Sequence, residues 1–479
     1  MWPSATADKD GQRPVRRYGM SAVEVTAPAG PADPAEATSS TRGTRGAHGT
    51  GVTDTGGGAA DARRGDPFLC RTPLTDQYGR GVLHGELGIG SFEAYLAAVA
   101  GAHGGTPPRG SSHFDSGLGR DLRRWCPPLL GLPAHCPPVH YLARRRDLGA
   151  YAATRALLRG SGIGAFVTDT SAAPAGVAGT NVMPAGAPAG TRDVPMTPAE
   201  LGLAALGRAR EAVSLRELAA QVADTSGSVN AFLGNVAEAL HTASHAVAFV
   251  SGGAFHEGSA PTPYEVRRAA GRWLRARAAR TADPDPDRTG TAPTRGTPAP
   301  YGQCAPYGPH APVPDEPALV RHLLWAALTT GRPVQLHCAD PARLRPFLYA
   351  TGGLGARIVL LPRAPHHRTG AQLAAEFPHV YADAGPWPEQ TLAEAPSGKL
   401  LFSSDAWALP ELYVVAARRF VARTERLLAR WTESGACSHA EAVRIARQLA
   451  HGNARHVYGL EPAPGGEAAR PYPLEAATG

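Results

Sequence analysis

The sequence predicts an α/β protein whose strands close into a parallel (β/α)8 barrel, and three observations carry that prediction. Short apolar runs alternate with helical patterns along most of the chain, which implies right-handed βαβ crossovers and a parallel sheet. Eight such runs occur, the number a closed barrel needs. No glycine-rich GxGxxG turn follows the first run, so the rival open, doubly wound sheet lacks its usual signature.

Residues 1–66 mix Gly, Ala, Thr and Pro with balanced charge and no apolar period. Such a stretch cannot bury enough surface to offset the entropy of ordering, so a disordered N-terminal tail is expected, with Met20 as a second candidate start. The barrel is expected over residues 67–462, with strands at 74–82, 163–169, 212–215, 246–251, 333–338, 357–361, 380–384 and 400–404. Helices between them carry explicit start signals. Thr197-Pro198-Ala199-Glu200, Thr262-Pro263-Tyr264-Glu265 and Ser438-His439-Ala440-Glu441 each set a capping hydroxyl three residues before a glutamate. Proline at the first helical position strengthens two of them. Low-complexity stretches at 172–192 and 282–312 read as surface insertions, and 463–479 as a flexible C-terminal tail.

Composition narrows the class of partner. The chain has 479 residues, 43% of them hydrophobic, and a formal charge of +7 carried almost wholly by arginine, since Lys9 and Lys399 are the only lysines. The arginines are dispersed and aromatics make up 6%, which argues against a nucleic-acid stacking platform. No apolar run approaches the roughly 18 residues a membrane span needs. The start, Met1-Trp2-Pro3-Ser4, does not resemble a secretory leader, so a cytoplasmic location is expected. The cysteines (Cys70, Cys126, Cys136, Cys304, Cys338, Cys437) form no CxxC pair and are expected as packing residues.

Lys399-Leu400-Leu401-Phe402-Ser403-Ser404-Asp405-Ala406-Trp407 reads as an apolar strand ending in an acid, followed by a helix from Pro410. The C-terminal ends of barrel strands are where this architecture places its chemistry, so Asp405 is a candidate catalytic residue. Further segments are His113-Phe114-Asp115-Ser116, Arg123-Arg124-Trp125-Cys126-Pro127-Pro128-Leu129 and Ala269-Ala270-Gly271-Arg272-Trp273-Leu274. Phe377-Pro378-His379-Val380-Tyr381-Ala382-Asp383 and Asn453-Ala454-Arg455-His456-Val457-Tyr458-Gly459-Leu460 follow. In these segments the chain resembles the amidohydrolase-related proteins (amidohydrolase type 2), a metal-dependent hydrolase family, and especially the module fused to glutamine-synthetase-like proteins. The resemblance implies a distorted TIM (β/α)8 barrel that hydrolyses a small molecule with a divalent metal, Zn or Mn. It also implies an HxH pair from the first strand, one histidine each from strands five and six, and an aspartate from strand eight.

Against that pattern the chain departs. Asp76-Gln77-Tyr78-Gly79-Arg80 puts a tyrosine and an arginine at the HxH positions, and Arg80 would repel a cation. Strand five keeps His337, whereas strand six has Pro362 at the histidine position, followed by Arg363. His337 and Asp405 remain as the candidate catalytic pair and metal ligands. His366 and His367 are loop substitutes. His245 stands at the head of strand four, where many relatives carry a lysine. Lys399 lies about 20 Å from Asp405 at a rise of about 3.3 Å per residue, so a lysine-bridged metal pair is excluded. Asp115 is expected to pair with Arg123 or Arg124, Cys126 and Cys136 to be buried thiols, and Ser403-Ser404 to lack a nucleophile elbow. Two functions remain open: an amidohydrolase-like hydrolase of a small, anionic molecule with a depleted metal site, and a catalytically silent relative that binds or regulates. Arg80 and Arg363 favour the anionic ligand. A homo-oligomer is left open.

Overall fold

The computed structural model describes residues 67–69, 72–101, 110–169, 195–252, 258–282 and 314–460. All lie in the unit Arg63–Gly479. The expected tails and both expected insertions fall almost entirely outside the described residues.

Eight parallel strands pair in sequence order: β1 (Leu74–Gly79), β2 (Ile163–Thr168), β3 (Arg208–Ser214), β4 (Ala246–Gly252), β5 (Val334–Cys338), β6 (Ile358–Pro362), β7 (Val380–Asp383) and β8 (Leu400–Leu401). The ring is closed by backbone bonds between β1 and the chain after β8. Gln77 N donates to Phe402 O (2.9 Å), Asp405 N to Tyr78 O (3.1 Å) and Arg80 N to Ala406 O (2.8 Å), and Val82 bridges Ala408. The structure is therefore the α/β TIM-like barrel that the strand count predicts.

Strand ends differ from expectation where long-range bonds decide them. β8 is two residues long rather than five because the buried carboxyl of Asp76 captures Ser404 N (2.8 Å) and Ser404 Oγ (2.5 Å), drawing the chain out of regular pairing. Asp405 and Ala408 then take left-handed backbone angles, φ 45° and 65°, which non-glycine residues seldom adopt. β3 starts earlier than expected, at Arg208, since its first residues alternate charge and alanine rather than presenting an apolar run. The helix starts hold: Thr197 and Glu200 form a reciprocal capping box, as do Thr262 and Glu265, and Ser438 Oγ accepts from Glu441 N.

Two cores result. The larger fills the space between strands and helices. The smaller lies inside the ring and joins Tyr78, Val167, Ala248, Val359 and Leu401 to Val457 and Tyr458. The ending that the sequence singles out is thus a plug. Asn453 Nδ2 donates to Ser397 O (2.6 Å) and Leu400 O (2.7 Å) at the foot of β8. Tyr458 Oη donates to Gln77 Oε1 (2.7 Å) and accepts from Gln335 Nε2 (2.8 Å). Closing the foot leaves the C-terminal mouth as the place for chemistry. No described helix is long and apolar enough to cross a membrane.

Candidate functional site at the barrel mouth

β1 delivers Tyr78 and then Arg80 to the mouth, β5 delivers His337, and the segment after β8 delivers Asp405. The His337 ring meets Tyr78 edge-on, with centroids 4.7 Å apart. Burial pushes His337 down to about 4; the charge of Asp405 opposes this, and Arg80 and Arg363 add to it. The imidazole is therefore neutral around pH 7. Arg80 Nη2 holds Asp405 Oδ1 at 2.9 Å. Burial works against the charge of Arg80, but Asp405, with Tyr78 and Asp169, more than offsets it and raises the guanidinium above its ordinary value.

A second acidic centre lies at the same end, and the sequence reading did not assign it a role. Asp383 closes β7, buried, and its Oδ2 stands 3.7 Å from His367 Nε2. Burial raises it to about 7; Ser403 and Gly385 oppose the rise, Asp405 adds to it, and none of them closes a hydrogen bond on the buried Oδ1. Asp76 is likewise raised to about 7 by burial, eased by Ser404 and Tyr78. Asp383 ends a short strand of the kind that pointed to Asp405, so that signal extended to it, whereas Asp76 is the third residue of β1 and lay outside it. His367 stood out in the sequence as a loop substitute for a ligand, but its place beside Asp383 depends on how the turn after β7 wraps it.

Does this set suit the divalent metal that the resemblance implies? It does not. The atoms that would face the ion on β1 are a phenol and a guanidinium, and the guanidinium already occupies Asp405. Zinc and its kin need at least three protein ligands on one face. Among the described residues no group of three His, Cys, Asp or Glu side chains could hold an ion. The structure thus brings His337 and Asp405 to one mouth, within reach of each other's charge, but surrounds them as something other than a metal site.

The remaining candidates fall elsewhere. His245 is exposed at the start of β4, 3.9 Å from Glu211 and at the foot. Lys399 donates to Val380 O (3.2 Å), also at the foot. His366 caps the helix His367–Glu376 without a side-chain bond, and Pro362 ends β6 opposite Cys338. Asp115 pairs with Arg123 (3.8 Å) and closes a capping box, the structural role expected. Cys126 and Cys136 are free, buried thiols.

No protein-family model and no curated protein matches the chain. Among solved structures it is similar to a candidate metal-dependent hydrolase from Lactobacillus casei, with a TM-score of 0.60 and 15% identity over 82% of this chain and 96% of that one. It also aligns with uronate isomerase from Thermotoga maritima (TM-score 0.49, 12% identity, 82% of this chain and 95% of that one). Glucuronate isomerase from Caulobacter crescentus gives 0.49 and 13%, over 83% and 93%. None of this bears on a glutamine-synthetase-like fusion. What the first likeness shows is a shared barrel fold.

Proposed function

We propose that the chain is a hydrolase of the amidohydrolase type that takes a small anionic molecule at the barrel mouth and works without a resident metal. The observation that carries this reading is the Arg80–Asp405 ion pair, with a fixed guanidinium on the strand that would otherwise supply metal ligands. Its Nε is buried with no hydrogen-bond partner, and a planar, permanently charged donor suits a carboxylate or phosphate. Arg363 stands near enough to act on His337 and adds positive charge. Neutral His337 and the carboxylate of Asp405 supply groups able to accept a proton from water. In hydrolysis the water oxygen bonds to the acyl carbon, its proton passes to a base at the mouth, and the leaving group departs with a proton.

The test is turnover of a panel of small carboxylate-bearing amides and esters in excess chelator, for wild type, Arg80→Met and Asp405→Asn. Chelator-resistant turnover that falls by about a hundredfold or more in the variants supports the reading. A second reading, a silent barrel that only binds, is favoured by the engagement of Asp405 with Arg80. It is supported if an anionic probe such as malonate binds wild type but not Arg80→Met while no substrate turns over.

A further inference from the structure

The reading above leaves Asp383 and His367 idle, although they stand within ion-pair distance of each other at the mouth. Asp383 is only 7% exposed, and one carboxyl oxygen is buried and unpartnered. The other faces the imidazole of His367 at 3.7 Å. That ring is held in place by Gly385, which has φ +64° and lies so close that a Cβ there would collide with His367 Cδ2. The turn after β7 therefore clamps the histidine beside the acid.

The groups around Asp383 come from the mouth and from the plug that rises into the ring beneath it. They are His367 from the helix His367–Glu376, Ser403 and Asp405 from the segment after β8, Asp76 from β1, and Tyr458 from the plug. Among these only the imidazole can carry positive charge. Asp405, by contrast, has the Arg80 guanidinium in direct contact and a side chain 56% exposed. Two carboxyls at one mouth in such unlike surroundings are how a site separates its acid from its base.

We propose that Asp383, positioned by His367, is the proton-carrying group of the mouth, and that Asp405 serves to anchor Arg80. This rests on the hydrolytic reading given above. Burial places Asp383 at about 7, where one group can both take and return a proton near neutrality. For an ester, the carboxylate of Asp383 takes a proton from the attacking water, and the water oxygen bonds to the acyl carbon. The bond to the alkoxide oxygen then breaks, and the alkoxide leaves with the proton that Asp383 returns.

The experiment uses the full chain in chelator with monomethyl succinate, an anionic alkyl ester, as probe, from about pH 5 to about pH 9. It is paired with infrared spectroscopy of the protonated-carboxyl stretch over the same range. Expected results are an about hundredfold loss of kcat in Asp383→Asn together with loss of the limb near neutrality, a displaced limb in His367→Gln, and a retained limb in Asp405→Asn. The infrared band that titrates near neutrality shrinks in Asp383→Asn, over and above the share removed by Asp76→Asn. Wild-type rates and an unchanged limb in Asp383→Asn overturn the proposal, as does an infrared band that this variant leaves intact. Wild type that turns over no ester overturns the hydrolytic reading instead, and the infrared band alone then decides whether Asp383 carries the proton.

Discussion

Replacing Asp76 by asparagine should change how stability depends on pH. The side chain is fully buried, accepts from Ser404 N at 2.8 Å and Tyr78 N at 3.3 Å, and meets Ser404 Oγ at 2.5 Å. Burial raises it from an ordinary 3.8 to about 7. The folded chain therefore holds a proton over a range where the unfolded chain has released it. The stability contributed is full below about pH 4 and is lost as pH rises through about 7. A difference of about 3 pH units, at about 1.4 kcal/mol each, sets a ceiling of ~4 kcal/mol. Asparagine keeps an acceptor for the Ser404 amide and carries no charge, so the variant should gain on wild type by up to ~4 kcal/mol between about pH 4 and pH 8. The comparison must be a difference, because His337, depressed to about 4, contributes a slope of opposite sign. Urea unfolding at several pH values, extrapolated linearly, measures it. A wild-type-minus-variant difference that stays flat with pH would refute the reasoning.

Two further outcomes follow from the same geometry. Asn453→Ala removes both bonds from the plug to the foot of β8 and strands two carbonyls, so urea unfolding should show a loss of about 2–3 kcal/mol with the slope m unchanged. His337 should stay neutral until about pH 4, which the ring proton shifts report directly in an NMR titration. Its contribution to stability is present above about 6.5 and lost as pH falls through about 4, so a midpoint near 6.5 in that titration contradicts the burial described.

The fold was legible because its strands are local apolar runs and its helices announce their starts, as Thr197 with Glu200 shows. What escaped was set by distant partners. The end of β8 depends on a carboxyl 328 positions away in Asp76, and no window of sequence contains both. That Tyr78 and Arg80 stand where the resemblance would place an HxH pair was plain in the sequence. That Arg80 would turn to Asp405, 325 positions on, was not. The ending from Asn453 to Tyr458 stood out as a motif, yet its work as a plug follows only from the ring it closes. Asp383 was within reach of the strand-ending argument applied to Asp405; His367 stood out as a loop histidine, but its pairing with Asp383 was not legible, because the turn after β7 decides its place.

Titration calorimetry of the chelator-treated protein with zinc, then with manganese, addresses the matter most directly. A guanidinium opposite Asp405 predicts far less than one equivalent of either ion bound per chain, in wild type and in Asp405→Asn alike. One tightly bound equivalent in wild type that vanishes in Asp405→Asn would contradict the account.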